Sequence, residues 1–350
     1  MITKEQVLNA LKQVMDPDLN RDLVSLNMIK NIKIDGENVS FSIELTTPSC
    51  PLKNKIEADA RRAVLTMTEA KNVDIEMASN VSHPKGLDLG SNCFKHLIAI
   101  GSGKGGVGKS TVSLNIALAL AKDGAKVGLL DADIYGPNIP RMLGLDRLPD
   151  TPEGQKIKPA ELFGLKIVSI GFLVQAGQPL IWRGPMLHSA IQQFITDFDW
   201  GNLDYLVVDL PPGTGDVQLS LAQSIPISGA VIVSTPQQVA IDDAYRAVNM
   251  FEKLETPVFG IVENMSYLEM PDGSHQYIFG EKGGERLAKQ VGARFLGGIP
   301  LDPKIGIGGD IGSPVVMQEP ISPAGEALVT IARNIAAEAS KEAYKKSQAG

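Results

Sequence analysis

The fold of this chain is decided by the segment Gly103-Lys104-Gly105-Gly106-Val107-Gly108-Lys109-Ser110-Thr111. The segment matches the phosphate-binding pattern G-x-x-x-x-G-K-[ST] at every fixed position, and it lies between an apolar run at 97–100 and a helix-like run at 112–121. Glycines let the backbone fold tightly around an anion with successive N–H groups pointing inward, and the following helix adds the positive end of its dipole. The segment therefore predicts a nucleotide phosphate site between a strand and a helix.

Two side chains of this segment have roles that follow from the pattern. Lys109 is expected to neutralise the terminal phosphates of the nucleotide, and the hydroxyl of Ser110 is expected to coordinate Mg²⁺. The backbone from Gly103 to Thr111 is expected to surround the phosphates. The alternative is a glycine-rich turn that only connects a strand to a helix, and the agreement of motif and context argues against it.

The composition limits the class of protein. The chain has 350 residues, of which 43% are hydrophobic, and this length predicts two domains of an α/β protein. The formal net charge is −7 and basic residues form no run longer than a pair, which argues against a broad nucleic-acid surface. No long uninterrupted apolar stretch occurs, so we expect neither a signal peptide nor a membrane span. The two cysteines, Cys50 and Cys93, exclude a disulfide framework and favour a cytoplasmic protein.

Residues 1–80 predict a small α+β domain. Thr3 and Gln6 form a capping-box pattern at the start of a helix. Apolar and polar residues alternate on either side of Asp35-Gly36, which is typical of a β-hairpin. A second helix and a short strand follow the hairpin, so the expected order is helix, hairpin, helix, strand.

Cys50 is the chemically suggestive residue of this domain. Pro51 suits the first position of a helix, and this places Cys50 at or next to the helix N-cap. The helix dipole and the free N–H groups there would lower the pKa of the thiol and favour the thiolate, which can bind a metal or transfer a cluster. A buried small apolar residue is the equally weighted alternative.

The remaining chain predicts a linker at 81–95 and a large domain at 96–345. Turn-forming residues dominate the linker, and Cys93 at its end is expected to be structural. Short apolar segments then alternate with helical stretches, which indicates a mostly parallel sheet with helices on both faces. The predicted strands are 97–101, 127–131, 165–170, 205–209, 230–234, 258–263 and 295–299.

Acidic residues close two of these strands. Ligands of parallel sheets bind at the carboxyl ends of the strands, so the loops that begin there are candidates for catalysis. We expect Asp209 to hold Mg²⁺, Asp131 to support the Mg²⁺ shell, and Asp133 to position the attacking water. The backbone N–H of Gly213 is a candidate sensor of the γ-phosphate. For Asp131 and Asp133, capping of a helix N-terminus remains the alternative.

Two further residues are candidates for contact with the base. Asn264 ends another predicted strand, and its amide can read the amine and N7 edge of adenine. A turn-forming asparagine is the alternative. Pro300 lies in a segment, Ile299 to Pro303, that resembles a loop closing over the other side of the base.

Several segments together resemble the Mrp/ApbC-type iron–sulfur cluster carrier ATPases of the MinD/ParA group of P-loop NTPases. They are K-G-G-V-G-K-S-T, D-A-D-I-Y-G-P-N-I-P, W-R-G-P-M, V-V-D-L-P-P-G-T-G-D and V-E-N-M-S, together with T-x-P-x-C-P in the N-terminal domain. The resemblance implies a homodimer that binds ATP and Mg²⁺, hydrolyses ATP slowly and serves iron–sulfur assembly or recipient proteins, with no membrane or nucleic-acid partner. It also implies that Lys104 reaches across the dimer to the partner's nucleotide, whereas the spacing alone is compatible with a solvated surface lysine.

One departure from the family pattern concerns the cluster itself. The resembled proteins usually carry a C-x-x-C pair soon after N-M-S, but residues 265–277 contain no cysteine. A bridging site of four thiolates cannot form there. Glu269, Asp272 and His275 could supply oxygen and nitrogen ligands, but an exposed hairpin tip explains them at least as well. Either an iron–sulfur cluster depends on Cys50, or the chain is an ATP-dependent dimerisation switch that acts as an adaptor or regulator without a cluster.

Overall fold

The computed structural model describes residues 2–81, 87–89, 92–172 and 184–349. The chain divides into two compact units, each treated by itself below. The small unit consists of residues 1–84 and 336–350, and the large unit consists of residues 85–335. The predicted domain limits of 1–80, 81–95 and 96–345 remain a prediction, although residues 336–345 group here with the small unit.

The small unit contains the predicted helix, hairpin, helix and strand, with an additional short antiparallel strand pair between the first helix and the hairpin, and its first helix begins with the predicted capping box. The backbone N–H of Gln6 donates to Oγ1 of Thr3 at 3.2 Å, and the N–H of Thr3 donates to Oε1 of Gln6 at 2.9 Å. The N-terminal elements are α1 (Lys4–Leu11), β1 (Met15–Asp16), β2 (Arg21–Asp22), β3 (Ile29–Asp35), β4 (Asn38–Leu45), α2 (Lys53–Met67) and β5 (Asn72–Ser79).

A three-stranded sheet forms the centre of the small unit. Strands β3 and β4 are antiparallel and are joined at the predicted hairpin, where Gly36 has a φ of +61°. Strand β5 runs parallel to β4, which requires the crossover helix α2 between them. Apolar residues of α1 and α2 cover the sheet and form one buried cluster with it.

The large unit alternates strands and helices as predicted. Its strands are β6 (Leu87–Leu89), β7 (Asn92–Ser102), β8 (Val127–Asp131), β9 (Ala160–Leu162), β10 (Leu165–Ser169), β11 (Asn202–Asp209), β12 (Gly229–Ser234), β13 (Val258–Glu263), β14 (Leu268–Glu269), β15 (His275–Gln276) and β16 (Phe295–Gly298). Its helices are α3 (Lys109–Lys122), α4 (Ile139–Leu143), α5 (Gly184–Thr196), α6 (Asp216–Ser224), α7 (Gln238–Lys253), α8 (Gly283–Val291), α9 (Pro303–Asp310) and the first half of α10 (Pro323–Ala349).

The large sheet confirms the predicted α/β fold class. Within the described residues its strand order is β16-β13-β12-β7-β11-β8-β10-β9, and β9 and the short β6 are its antiparallel members. The interior strands carry long runs of buried apolar residues, as expected for parallel strands that are covered on both faces by helices. Strand β7 lies between β12 and β11, so the phosphate-loop segment leaves the sheet near its middle.

Strand β7 begins at Asn92, earlier than the predicted Leu97, so Cys93 lies within a strand and not in a linker. The neighbouring residues 82–86 and 90–91 of the predicted linker lie outside the described residues, as does the start of the W-R-G-P-M segment. None of the helices described combines the length and the apolar character that a membrane span requires.

Cys50 corrects a prediction made from the sequence. Helix α2 begins at Lys53 with Leu52 as its N-cap, so Pro51 is not the first helical residue and Cys50 lies outside the helix. Burial raises the pKa of the Cys50 thiol to about 11, and the backbone N–H of Leu52 only partly offsets this effect. The prediction of a lowered pKa was therefore wrong, because removal of the thiol from water outweighs the hydrogen bond from the N–H of Leu52.

The raised pKa makes a testable prediction for Cys50. Only the thiolate reacts with iodoacetamide, so in a Cys93→Ser background we expect alkylation of Cys50 at pH 8 to be slower than that of the urea-unfolded chain by on the order of 100-fold. The rate should rise with pH toward a midpoint near 11. A rate that already reaches its plateau below pH 8 would contradict a buried neutral thiol.

The side chain of Asn92 fixes the start of the central strand. This fully buried amide donates to the carbonyl oxygens of Ile195 at 3.0 Å and Phe198 at 2.8 Å. Its oxygen accepts from the backbone N–H groups of Trp200 at 3.1 Å and Gly201 at 3.2 Å. The amide thus satisfies four backbone groups of the turn that precedes β11, each of which would otherwise be buried without a partner.

Replacement of Asn92 by alanine should therefore destabilise the large unit. We expect Asn92→Ala to lower the free energy of unfolding by about 2–4 kcal/mol, since it leaves buried N–H and carbonyl groups unpaired. The matched control is Asn38→Ala, which removes an amide from an exposed side-chain pair and should cost no more than about 0.5 kcal/mol. Denaturant unfolding measures both, and equal effects of the two substitutions would refute the structural role of Asn92.

Candidate functional site

The loop between β7 and α3 has the shape that the sequence predicts for a phosphate-binding loop. Helix α3 begins at Lys109, and its N-cap Gly108 has a φ of +81°, which glycine adopts at little cost. A Cβ atom on Gly108 would also overlap the side-chain amide of Asn264. The glycine is thus required both by its backbone conformation and by the close approach of a neighbouring loop.

Lys109 is the centre of the site. Its Nζ lies 2.8 Å from Oδ1 of Asp209 and 3.3 Å from Oδ2 of Asp133, and all three side chains are largely removed from water. Burial by itself lowers the pKa of Lys109, but the carboxylates of Asp209 and Asp133 outweigh burial and raise it. The ammonium group is therefore held in its charged form next to the loop backbone.

The hydroxyls of α3 complete the hydrogen bonding of Asp209. Ser110 Oγ donates to Oδ2 of Asp209 at 2.6 Å, and Ser113 Oγ donates to Oδ1 at 2.6 Å. The sequence analysis missed Ser113. A signal was present, since Ser113 follows Lys109 by four residues and therefore lies on the same face of α3.

Asp133 lies next to Lys109 at the cavity. Its carboxylate lines the same cavity as Lys109 and Ser110, and its Oδ1 accepts from the backbone N–H of Tyr135 at 3.2 Å. Burial raises the pKa of Asp133, and the charge of Lys109 partly offsets that rise. The carboxylate thus lies within reach of the cavity while its backbone surroundings fix its orientation.

Asp131 is the last residue of β8, and its support of the Mg²⁺ shell stays a prediction. It is fully buried beneath the loop, where its Oδ2 accepts from Ser169 Oγ at 2.8 Å and from the N–H of Ile139 at 3.3 Å, and its Oδ1 accepts from the N–H of Asp133 at 3.2 Å. Burial, with a contribution from the nearby charge of Asp209, raises its pKa to about 7. The hydrogen bond to the first residue of α4 corresponds to the capping alternative, and the bond to Asp133 makes Asp131 a support for that residue.

The predicted phosphate sensor, Gly213, follows β11 in a loop that lies against the end of β7. Its backbone N–H donates to the carbonyl oxygen of Ser102 at 2.9 Å, and its φ is +98°. Ser102 Oγ in turn donates to the carbonyl oxygen of Lys104 at 3.0 Å. The loop after β11 is therefore connected through Ser102 to the phosphate-binding loop.

The two predicted base contacts stay predictions, and one of them, Asn264, is hydrogen-bonded to the phosphate loop. Asn264 is buried, and its Nδ2 donates to the carbonyl oxygen of Val107 at 2.8 Å. Pro300 is buried after β16. In this structure the amide of Asn264 thus stabilises the phosphate loop, a role that the sequence analysis did not foresee.

The site opens into a cavity of about 510 Å³, a volume within the range of small-ligand pockets. Its lining includes Lys104, Lys109 and Ser110 of the phosphate loop. Residues of α4 and α9 also line it, Arg141 and Asp310 among them. The sequence analysis did not single out these last two residues, because no phosphate motif includes them.

The hairpin tip that stands where a cysteine pair was expected is organised by its own contacts. The ring of His275 stacks on Tyr267 with centroids 3.9 Å apart, and Oδ1 of Asp272 accepts from Ser274 Oγ at 2.6 Å. Among the described side chains, no group of three or more His, Cys, Asp and Glu residues is arranged to hold a metal ion.

Comparison with known proteins identifies relatives of this chain. The family profile described as NUBPL iron-transfer P-loop NTPase matches residues 93–336, and the profile described as iron-sulfur cluster assembly protein matches residues 4–77. A protein of Deinococcus radiodurans named iron-sulfur cluster carrier protein is 50% identical, over 96% of this chain and 95% of its own length. A Synechocystis protein of the same name is 48% identical, over 98% of this chain and 99% of its own length.

A solved structure supports the same assignment for the large unit. The nucleotide-binding protein of Archaeoglobus fulgidus, determined in complex with ADP, is 40% identical and superposes with a TM-score of 0.57. The match covers 67% of this chain and 91% of that protein. With more than half of its length matched by the family profile, and with a phosphate loop of the required geometry, the chain belongs to the NUBPL iron-transfer family of P-loop NTPases.

Proposed function

We propose that this chain is an iron–sulfur cluster carrier that acts as a homodimer and hydrolyses ATP. The observation that carries the proposal is the buried ion pair of Lys109 with Asp209, which lies at the wall of a cavity formed by the phosphate loop. The names of the relatives and the ADP complex of the Archaeoglobus protein point in the same direction.

The donors at this wall suit Mg²⁺ as well as the nucleotide. Ser110 Oγ and Asp209 Oδ2 are oxygen atoms of a hydroxyl and a carboxylate, the ligand types that Mg²⁺ prefers, and they already lie side by side. When bound, Mg²⁺ would neutralise charge on the terminal phosphates. Ser113 holds the second oxygen of Asp209 and so fixes the plane of the carboxylate.

Lys109 binds the phosphates, and Asp133 orients the attacking water. The ammonium group of Lys109 points into the loop and binds phosphate oxygens, which replace the carboxylates as its counter-charges. Asp133, released from this ion pair, accepts a hydrogen bond from the attacking water and orients it. Burial of Asp133 raises its pKa from the ordinary value, which makes its carboxylate a stronger base than an exposed aspartate. Asp131 keeps the backbone of Asp133 in place through the 3.2 Å bond to its N–H.

The backbone N–H of Gly213 would detect the terminal phosphate by changing its hydrogen-bond partner. Its N–H is bound to the Ser102 carbonyl, and an exchange of this partner for a γ-phosphate oxygen would release the loop after β11 from the end of β7. Such an exchange would order the loop differently before and after hydrolysis, and would link the state of the nucleotide to the shape of the subunit surface.

Lys104 is the residue that makes a dimer part of the proposal. It lies in the loop at the mouth of the cavity, and among the described residues it forms no ion pair. Because the MinD/ParA group places this lysine on the partner's nucleotide, we propose that each subunit completes the site of the other. Hydrolysis then requires the dimer.

The proposal also assigns a ligand to the carried iron–sulfur cluster. The family signature places Cys50 in the iron–sulfur assembly unit, and we propose that this thiol is a ligand of the carried cluster, which the chain transfers to recipient proteins in the cytoplasm. Binding would have to displace the proton of a thiol whose pKa is about 11, so cluster binding should weaken as the pH falls.

A specific observation also favours a second function, that of an ATP-dependent dimerisation switch without a cluster. Residues 265–277 lack cysteine, and aromatic stacking and turn hydrogen bonds organise their tip. The nucleotide site would be the same in both functions. The two proposals differ only in whether iron and sulfide bind.

The proposed role of Lys104 is tested by substitution. We expect Lys104→Ala to reduce ATP hydrolysis by on the order of 10³-fold, as for other cations supplied in trans, while the affinity for ATP changes by less than about tenfold. Turnover and binding of a fluorescent ATP analogue are the measurements. The exposed Lys289→Ala on α8 is the matched control and should leave both unchanged.

A mixture of two inactive variants distinguishes action across the dimer from action within one subunit. Lys109→Ala removes phosphate binding but retains Lys104, whereas Lys104→Ala retains its own phosphate site. If Lys104 acts on the partner, mixing the two variants restores hydrolysis in the mixed dimers. No recovery in mixtures that demonstrably contain mixed dimers would refute the proposal.

The cargo is tested by anaerobic reconstitution with iron and sulfide. We expect the native chain to bind a cluster that is seen in the visible absorption spectrum and is lost in Cys50→Ser but retained in Cys93→Ser. Iron and sulfide are counted per subunit in all three proteins. If none of them binds a cluster while ATP hydrolysis is intact, the switch without a cluster is the function.

A further inference from the structure

Gln218 is a buried amide side chain that has no role in the nucleotide site described above. It lies in the first turn of α6, directly after the loop that follows β11, and it is 1% exposed. Within the part of the chain that the structure describes, neither its Nε2 nor its Oε1 has a hydrogen-bond partner. An amide that is removed from water without a partner is costly, so such a group requires an explanation.

Other buried amides of the large unit are paired. Asn92 uses both its nitrogen and its oxygen, as described above. Asn115 donates to the carbonyl oxygen of Thr111 at 2.9 Å and accepts from the backbone N–H of Val316 at 3.3 Å. Gln218 thus differs from amides that only hold the fold together.

The side chain of Gln218 packs against the central strand next to the phosphate loop. A Cβ atom on Gly101 of β7 would come within 3.1 Å of Nε2 of Gln218 and within 3.1 Å of the ring of Phe251. The amide therefore lies directly on the backbone of β7. The next residue of this strand is Ser102, whose carbonyl oxygen accepts from the N–H of Gly213 at 2.9 Å. The unpaired donor lies against the residue that precedes this acceptor.

The exchange proposed for the N–H of Gly213 would remove from the Ser102 carbonyl the donor that it has here. Ser102 is fully buried, so its carbonyl oxygen could not turn to water for a replacement. A buried carbonyl without a donor would oppose the exchange, and the unpaired amide of Gln218 already destabilises the present arrangement. One new hydrogen bond, from the amide to the carbonyl, would remove both costs.

We propose that Gln218 is a positioning residue of the nucleotide switch, and that its Nε2 donates to the carbonyl oxygen of Ser102 when Gly213 binds the γ-phosphate. The first turn of α6 thereby follows the loop after β11 when ATP binds. The inference rests on the proposed binding of ATP and deepens it with a residue that acts through Gly213 and touches no part of the nucleotide. ADP has no γ-phosphate, so only ATP gains from the new hydrogen bond.

The test compares the binding of a non-hydrolysable ATP analogue and of ADP, each with Mg²⁺, by isothermal titration. The variant is Gln218→Met, because methionine is unbranched and flexible like glutamine and has no amide to pair. We expect it to weaken the analogue on the order of tenfold, the effect of one hydrogen bond, and to change ADP by less than about twofold. The denaturant midpoint of the nucleotide-free chain should not fall, because an unpaired amide is removed.

Hydrogen exchange of the backbone amides at 213–221 gives a second readout. We expect the exchange of this segment in the native chain to differ between the analogue and ADP, and this difference to shrink in Gln218→Met. The matched control is Gln223→Met, the same change at an exposed position of the same helix. It should retain both affinities, the exchange difference and the denaturant midpoint.

Equal weakening of the analogue and of ADP in Gln218→Met would indicate a structural role alone and overturn the inference. An unchanged affinity for the analogue would overturn it as well, and so would a lowered denaturant midpoint, which would mean that the amide stabilises the nucleotide-free arrangement. Failure of the native chain to bind either nucleotide would instead refute the proposed function.

Discussion

The interaction on which the rest of the site depends is the buried ion pair between Lys109 and Asp209. Removing two charges from water is costly, and the pair is stable only because every remaining hydrogen-bonding position nearby is used. Ser110 and Ser113 supply two hydroxyl donors to Asp209, and Asp133 adds a second negative charge beside the lysine. The pair connects the end of β11 to the first turn of α3 and so fixes the distance between the carboxyl end of this strand and the phosphate loop.

The buried ion pair of Lys109 preorganises the site for a ligand and is not a major source of stability. A buried ion pair contributes little net stability compared with apolar packing of the same volume, although the loss of one partner is severe. The Lys109 ammonium has two carboxylates within 3.3 Å, and this surplus of negative charge can be redistributed when phosphates enter. The protein thus keeps a charged lysine in a site from which water is largely excluded, where its field on a phosphate is strongest.

Close approach of neighbouring loops to the phosphate loop supports the same preorganisation. Asn264 reaches the carbonyl oxygen of Val107 from the end of β13, and the loop after β11 is bound through Gly213 to the end of β7. A Cβ atom on Gly103 would overlap the backbone of Asp243 in α7. Elements from three other parts of the chain therefore meet at one loop and hold its backbone in place.

The sequence by itself determined the fold class, the order of the strands along the chain, the capping box, the hairpin and the positions of Lys109, Ser110, Asp133 and Asp209 at one edge of the sheet. These features are determined locally, by residue type and spacing. What only the tertiary structure decided depends on groups that are distant in sequence. Burial raises the pKa of Cys50, and Asp131 lies below Asp133 where Ser169 and Ile139 engage it. Ser113 contacts Asp209, and Arg141 and Asp310 line the cavity, only because α3, α4 and α9 come together in the folded chain, and no local pattern encodes which side chains a fold brings together.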